Sequence, residues 1–203
     1  SNTLTYKTKF AVDHDFTALA GFEAQANNSD YFNAKNSRFP IDDFGVDKIE
    51  LGTVPLIPVS GASSNRLASF FGNVNYGFKD RYLLTFNLRA DGSSKFKAAN
   101  RWGYFPSAAV AWKISSENFL QDVDWITLLK LRASYGEAGN NNIPVGQLNQ
   151  TYQNTLSTWL HNSVNYWAPS KIMANPSLKW ETTTTQNLGL DFELFKGRVS
   201  GTV

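Results

Sequence analysis

Few side chains in this sequence could carry covalent or acid–base chemistry. Cysteine is absent, which excludes a thiolate nucleophile, a thiolate metal site and a disulfide frame. The two histidines, His14 and His161, fall in unrelated segments and leave little material for a zinc site or a His-based general base. For catalysis, Asp122 and Asp124 come nearest to a usable carboxylate pair, but they sit in an expected turn beside Trp125 with no partner acid for glycosidic hydrolysis. Neither a serine elbow nor a phosphate-cradling glycine loop is present. The expectation is a protein that is not an enzyme and holds no metal or other cofactor.

What remains is binding chemistry. Trp159, Tyr166 and Trp167 lie in a polar stretch with Asn162 and Asn165. Aromatic faces beside amides suit sugar rings, and they equally suit packing of a loop on itself or on a partner protein, which is the preferred reading. Asn140 belongs to a Gly-Asn-Asn-Asn run (139–142) that reads as a flexible turn whose exposed backbone could meet substrate. Arg89, Lys130, Arg132, Asp191 and Glu193 form a third group, mixed in sign and spread along the chain. With a net charge of +2 and no Lys/Arg run, nucleic acid is not an expected partner.

The elements that must position these residues are strands. Tyr82, Leu84, Phe86, Leu88 and Ala90 alternate with Leu83, Thr85, Asn87, Arg89 and Asp91, so one face of a strand is apolar and the other largely polar. Leu188, Leu190, Phe192 and Leu194 alternate in the same way with Asn187, Gly189, Asp191 and Glu193; Leu129, Leu131, Ala133 and Tyr135 alternate with Lys130, Arg132, Ser134 and Gly136. Comparable runs begin at Leu4, Phe16, Phe70 and Ala108, giving about seven strands of roughly ten residues, the length that crosses a bilayer at a tilt. No stretch approaches the roughly eighteen apolar residues of a membrane helix.

Connection lengths alternate as well. Residues 12–15, 78–81 and 194–198 read as short turns and 116–127 as a longer connection on the same side, whereas 25–64, 92–101 and 137–179 are long. Transmembrane barrels have tight periplasmic turns at one rim and long extracellular loops at the other. The fold expected is all-β, an antiparallel transmembrane β-barrel segment, with Leu84, Phe86, Leu88, Leu190 and Phe192 facing lipid and Arg89, Lys130, Arg132, Asp191 and Glu193 facing the lumen. Trp102, Tyr104 and Phe105 are expected in an aromatic girdle. Asp91-Gly92-Ser93-Ser94 reads as a strand end entering a turn, with the glycine supplying a positive φ. An open sheet edge cannot sit in lipid, so these strands are expected to be part of a larger barrel domain spanning all of 1–203. No basic-then-apolar leader opens the chain, and the leader of an exported protein is expected outside these residues.

Four ordered blocks then resemble the SusC/RagA group of TonB-dependent outer-membrane transporters. They are Asp80-Arg81-Tyr82-Leu83-Leu84-Thr85 running on to Leu88-Arg89-Ala90-Asp91-Gly92-Ser93-Ser94-Lys95-Phe96; Asn100-Arg101-Trp102-Gly103-Tyr104-Phe105-Pro106-Ser107 with Ala111-Trp112-Lys113-Ile114-Ser115; Leu129-Lys130-Leu131-Arg132-Ala133-Ser134-Tyr135-Gly136 with Gly139-Asn140; and Asn175-Pro176-Ser177-Leu178-Lys179-Trp180-Glu181 with Asn187-Leu188-Gly189-Leu190-Asp191. The resemblance implies a 22-stranded barrel closed by a plug domain, with neither the plug nor a TonB-contacting segment among these residues. It further implies import of oligosaccharides or peptides across the cell outer membrane, energised by TonB, with a SusD-like surface lipoprotein as lid. A secreted β-sandwich that binds carbohydrate and a passive porin are the alternatives.

Overall fold

The computed structural model describes residues 1–40, 45–144, 147–156 and 165–203. Twelve strands follow one another: β1 (Asn2–Phe10), β2 (His14–Asn33), β3 (Asn36–Ser37), β4 (Val54–Pro55), β5 (Val59–Phe78), β6 (Tyr82–Ser93), β7 (Trp102–Lys113), β8 (Ile126–Asn140), β9 (Tyr152–Leu156), β10 (Asn165–Pro169), β11 (Glu181–Leu194) and β12 (Val199–Thr202). Eight of them form one sheet in the order β1-β2-β5-β6-β7-β8-β11-β12, an up-and-down meander in which every registered pair is antiparallel. Helical structure among the described residues is confined to short 3-10 turns.

Contacts divide the chain into two compact units, Ser1–Gln25 with Arg66–Val203, and Ala26–Asn65. Within the smaller unit β3 pairs with β4, and Asn36 Nδ2 donates to the carbonyls of Ile49 (3.1 Å) and Gly52 (2.7 Å), closing the 3-10 stretch Gly45–Leu51 onto that pair.

Pairing in the large sheet follows the alternation. One row runs Tyr76–Leu84–Val110–Ala133–Leu188 across five strands, and the next residue along each strand gives the row Asn75–Thr85–Ala109–Ser134–Asn187 on the opposite face. A slip of one residue would bring Thr85 on β6, Arg132 or Ser134 on β8, or Asn187 on β11 into the apolar row, so the pattern itself pins the register of those strands.

Strands outlast the pattern that reveals them. β2 persists to Asn33 and β5 starts at Val59, both inside the range expected as a long loop, and β8 continues to Asn140, into the first half of the run expected as a turn. A backbone ladder needs only N–H and C=O partners; polar side chains on both faces are tolerated wherever both faces meet water. The short turns at 78–81 and 194–198 lie as expected, whereas the first falls at 11–13, because His14 and Asp15 already pair with Phe10 and Lys9. At 78–81 both Lys79 (φ 52°) and Asp80 (φ 51°) are left-handed, and Arg81 N donates to Phe78 O at 2.9 Å. This primed turn matches the twist of its strands, at a cost of about 1–2 kcal/mol for each non-glycine residue held left-handed.

Candidate functional site

The polar face of the large sheet collects all five charged residues expected on it. Lys130 on β8 lies opposite Asp191 on β11 and pairs with it at 3.0 Å; Arg132, two residues on, reaches the same carboxylate at 2.8 Å, and Thr202 donates to it at 3.1 Å. Glu193 shares the face, opposite Leu128 and Ser200, and makes no ion pair among the described residues. Arg89 on β6 does not join the group. Its Nε donates to both oxygens of Asp91 at 2.8 Å, its Nη2 to Ser69 Oγ at 2.9 Å, and its guanidinium lies over the Phe71 ring. Between the two charged groups runs an uncharged ladder: Thr85 donates to Asn75, Asn75 to Asn73, Asn73 to Asn87 and Asn87 to Ser107.

Leu84, Phe86, Leu88, Leu190 and Phe192 on the apolar face make no such bonds. Leu84 is 46 % exposed and Phe86 50 % exposed, Leu88 is similarly open, and Leu190 and Phe192 on the same face are half-buried. No second layer covers them among the described residues. Leu4, Tyr6, Ala18 and Ala20 of β1 and β2 continue this surface beside Val74, Phe86 and Leu88.

Aromatic rings border the band on both sides. Towards the short turns, Phe78 stacks on Tyr82 and Tyr82 on Trp112, while Trp125 stacks on Phe195. Towards the long connections, Trp102 and Tyr104 are exposed on the apolar face, and Phe70 packs between Trp102 and Phe22. About ten residues separate the level of Tyr82 from that of Trp102; at about 3.3 Å per residue and a tilt of about 40° they span about 25 Å, the height of a membrane barrel's apolar belt.

Glu117, in the connection between β7 and β8, was not singled out by sequence reasoning, yet it organises the short-turn rim. Oε1 accepts from Tyr82 Oη (2.7 Å) and Trp112 Nε1 (3.0 Å), and Oε2 from Arg81 at 3.1 Å. The hydrogen bonds from Tyr82 and then Trp112, with the Arg81 charge beside them, hold its carboxyl below the ordinary glutamate value. Its side chain is 13 % exposed.

At the opposite rim the parts that resemble the transporter group converge. Every buried residue among those described lies here: Ser69, Asp91, Gly92, Ser93, Phe96, Gly103 and Phe105. Phe96 (1 % exposed) and Phe105 (7 %) each sit 5.4 Å, centroid to centroid, from the Trp180 ring, whose Nε1 donates to Arg101 O at 2.9 Å. Phe105 is therefore part of this knot and not of the girdle: odd-numbered β7 residues point to the polar face, where its ring lies against the backbone of Gly103 and Gly139. Gly92 does not turn the chain, since it lies inside β6 without a positive φ; a Cβ there would meet the Trp102 ring at 2.9 Å. Close approach, and not left-handed backbone, explains this glycine.

Of the residues considered for the long loop, Trp159 and Asn162 lie outside those described, as does the side chain of Tyr166, whose backbone pairs with Thr155 in the β9–β10 hairpin. Trp167, opposite Asn154, is 71 % exposed. Asn140 ends β8; it donates to Glu181 at 2.9 Å and accepts from Asn142 N, so it braces the loop base.

Comparison with known proteins identifies this architecture. The family model described as TonB dependent receptor-like, beta-barrel matches residues 1–203. The chain belongs to the TonB-dependent receptor β-barrel family. It is 36 % identical over 198 residues to TonB-dependent receptor P3 of Formosa agariphila, covering 98 % of this chain and 20 % of that protein. It is 45 % identical over 148 residues to TonB-dependent receptor SusC of Bacteroides thetaiotaomicron, covering 69 % of this chain and 14 % of that protein. The structure of the RagAB peptide transporter superposes with a TM-score of 0.82 at 29 % identity, over 98 % of this chain and 22 % of that one. The chain thus spans about a fifth of the relatives it matches, and it is a SusC/RagA-type segment of a larger outer-membrane β-barrel. Members of this receptor family are transporters and not enzymes.

Proposed function

We propose that these strands form part of the wall of an active importer that carries oligosaccharides or peptides across the outer membrane, energised by TonB and working with a SusD-like surface lipoprotein. In this reading 1–203 belongs wholly to one barrel domain, of 22 strands and closed by a plug. The apolar face carrying Leu84, Phe86, Leu88, Leu190 and Phe192 meets lipid. The face carrying Arg89, Lys130, Arg132, Asp191 and Glu193 lines the wet interior, and the long connections 25–64 and 137–179 are extracellular. Trp167 and Asn140, with Trp159, Tyr166 and Asn162, belong to the loop that meets solute or lid.

The observation that carries the reading is the two-faced sheet, with an uncovered apolar band about 25 Å high between aromatic borders and a hydrogen-bonded polar face behind it. A secreted β-sandwich would bury that band under a second sheet. The relation to SusC and RagAB, the latter described as a peptide transporter, supports import of a polymer fragment.

The test uses the full-length protein in cells. A fluorescent oligosaccharide mixture and a fluorescent peptide mixture are offered to cells with and without TonB. Accumulation of one mixture that disappears without TonB is the expected result. Accumulation that is indifferent to TonB would make the protein a passive pore, and a full-length protein that stays in solution without detergent would remove it from the membrane.

A further inference from the structure

The buried residues of the described chain lie in one knot at the long-loop rim, where a lipid-facing wall has no need of a dry centre. Its contacts have a direction. The chain leaves β8 at Asn140, makes its longest excursion, and re-enters the sheet at Glu181 on β11, where Asn140 and Glu181 are the last registered partners. The sheet's ladder therefore stops at the mouth of the excursion and does not dictate where it points.

We propose that the knot is a clamp that fixes both ends of the 141–180 excursion to the β6–β7 connection, with Trp180 as its positioning residue. The outgoing end is held at Asn141, which donates to Ser93 Oγ (3.3 Å) and whose carbonyl accepts from Lys95 Nζ (3.4 Å). The returning end is held by Asn100, which donates to the carbonyls of Ser177 (3.2 Å) and Leu178 (3.3 Å), and by Trp180, wedged between Phe96 and Phe105. The connection that does the holding is itself tied to β5, since Ser94 N donates to Arg66 O and Arg66 N to Ser94 Oγ. A loop with both feet fixed loses less conformational freedom when its tip binds. The clamp gives the exposed Trp167 on the β9–β10 hairpin that advantage without touching solute. The functional weight of the clamp rests on the reading of 137–179 as an extracellular loop; its existence does not.

External protease on whole cells making the full-length protein tests it, with cleavage within 141–180 read from fragment size and heat-modifiable migration reporting an intact barrel. Trp180→Ala is expected to assemble and to be cleaved at least about ten-fold faster. Trp180→Phe keeps the ring in place and loses one hydrogen bond, and is expected to stay near the parent rate. Where Trp180→Ala does not assemble, Asn100→Ala, which removes only the two bonds to Ser177 and Leu178, is expected to be cleaved several-fold faster. A parent loop cut only after the barrel is released into detergent would overturn the extracellular reading, and the same variants are then compared in detergent. In either setting unchanged cleavage in an assembled Trp180→Ala, or in Asn100→Ala in its place, would overturn the clamp, as would equal acceleration in Trp180→Phe and Trp180→Ala. Uptake of the two fluorescent mixtures is followed in parallel: faster cleavage with undiminished uptake supports the clamp and takes the loop out of the transport route.

Discussion

The wall of this sheet and the knot at its rim are held together in opposite ways. In the wall, the row Leu84–Val110–Ala133–Leu188 is laid down by successive strands of a meander, the last step bridging the 141–180 excursion, and its apolar side chains stay largely uncovered. In the knot, Ser93, Lys95, Asn100 and Arg101 meet Asn141, Ser177, Leu178 and Trp180 from 46 to 79 residues away, and Phe96 and Phe105 close on the same Trp180 ring. In the proposed reading the wall is a protein surface completed by its solvent, because lipid removes the need for a protein core behind each leucine. The knot stands where the apolar band ends and the long connections begin, and it supplies its own dry interior. The position of the dry core tells which end of each strand carries folded loops and which carries only turns.

Four substitutions would break or sharpen this contrast. The largest effect is expected at Phe96, where truncation to Ala removes a ring with almost no exposure and should cost about 3–5 kcal/mol locally. Amide exchange on the full-length protein in vesicles should then show lost protection around 93–101 and 175–181, with β5–β8 amides below the rim unchanged; an even loss over those strands would merge knot and wall into one cooperative unit. Next comes the wall. Leu84→Lys should cost about 2–4 kcal/mol near the bilayer midplane, measured by urea titration of vesicle-folded protein, whereas Thr85→Lys, pointing to the other face, should leave the midpoint nearly unchanged. Equal costs at the two positions would end the two-face description.

The smallest effect concerns Glu117 at the short-turn rim, and it is a matter of pH. Its folded-state pKa is lowered, so the carboxylate binds protons less readily folded than unfolded. Its contribution is complete above the ordinary glutamate value and is lost as pH falls through the lowered one. Stability of the parent relative to Glu117→Gln should therefore hold steady from neutral pH into the ordinary glutamate range and vanish on further acidification. A difference that already fades between pH 7 and 6 would assign the effect to another group.

Much of the wall was legible because period two is a local code. Tyr82 to Asp91 alone announces a strand with one greasy face, and the resemblance to SusC/RagA transporters rests on blocks that can be read in order. The knot was not legible in the same way. Phe105 sits one residue from Tyr104 and was grouped with it, yet the two rings point to opposite faces and only one is buried. Gly92 looked like a turn glycine because its reason, the Trp102 ring, lies across a strand pair. Glu117 sat in a connection whose only visible property was its length, and its three donors come from Arg81, Tyr82 and Trp112.

By itself, then, the sequence determined the main strands of the large sheet, their faces, the side on which turns are short, and the family, but not the β3–β4 and β9–β10 pairs within the long connections. Those properties follow from alternation and spacing, which act between near neighbours and survive in any fragment that pairs correctly. Tertiary structure alone decided where strands outrun their apolar pattern, which charges share a carboxylate, and which aromatics close the loop base. Each of those depends on residues brought together from distant segments, and no short-range periodicity encodes a meeting between Ser93 and Asn141 or between Phe96 and Trp180.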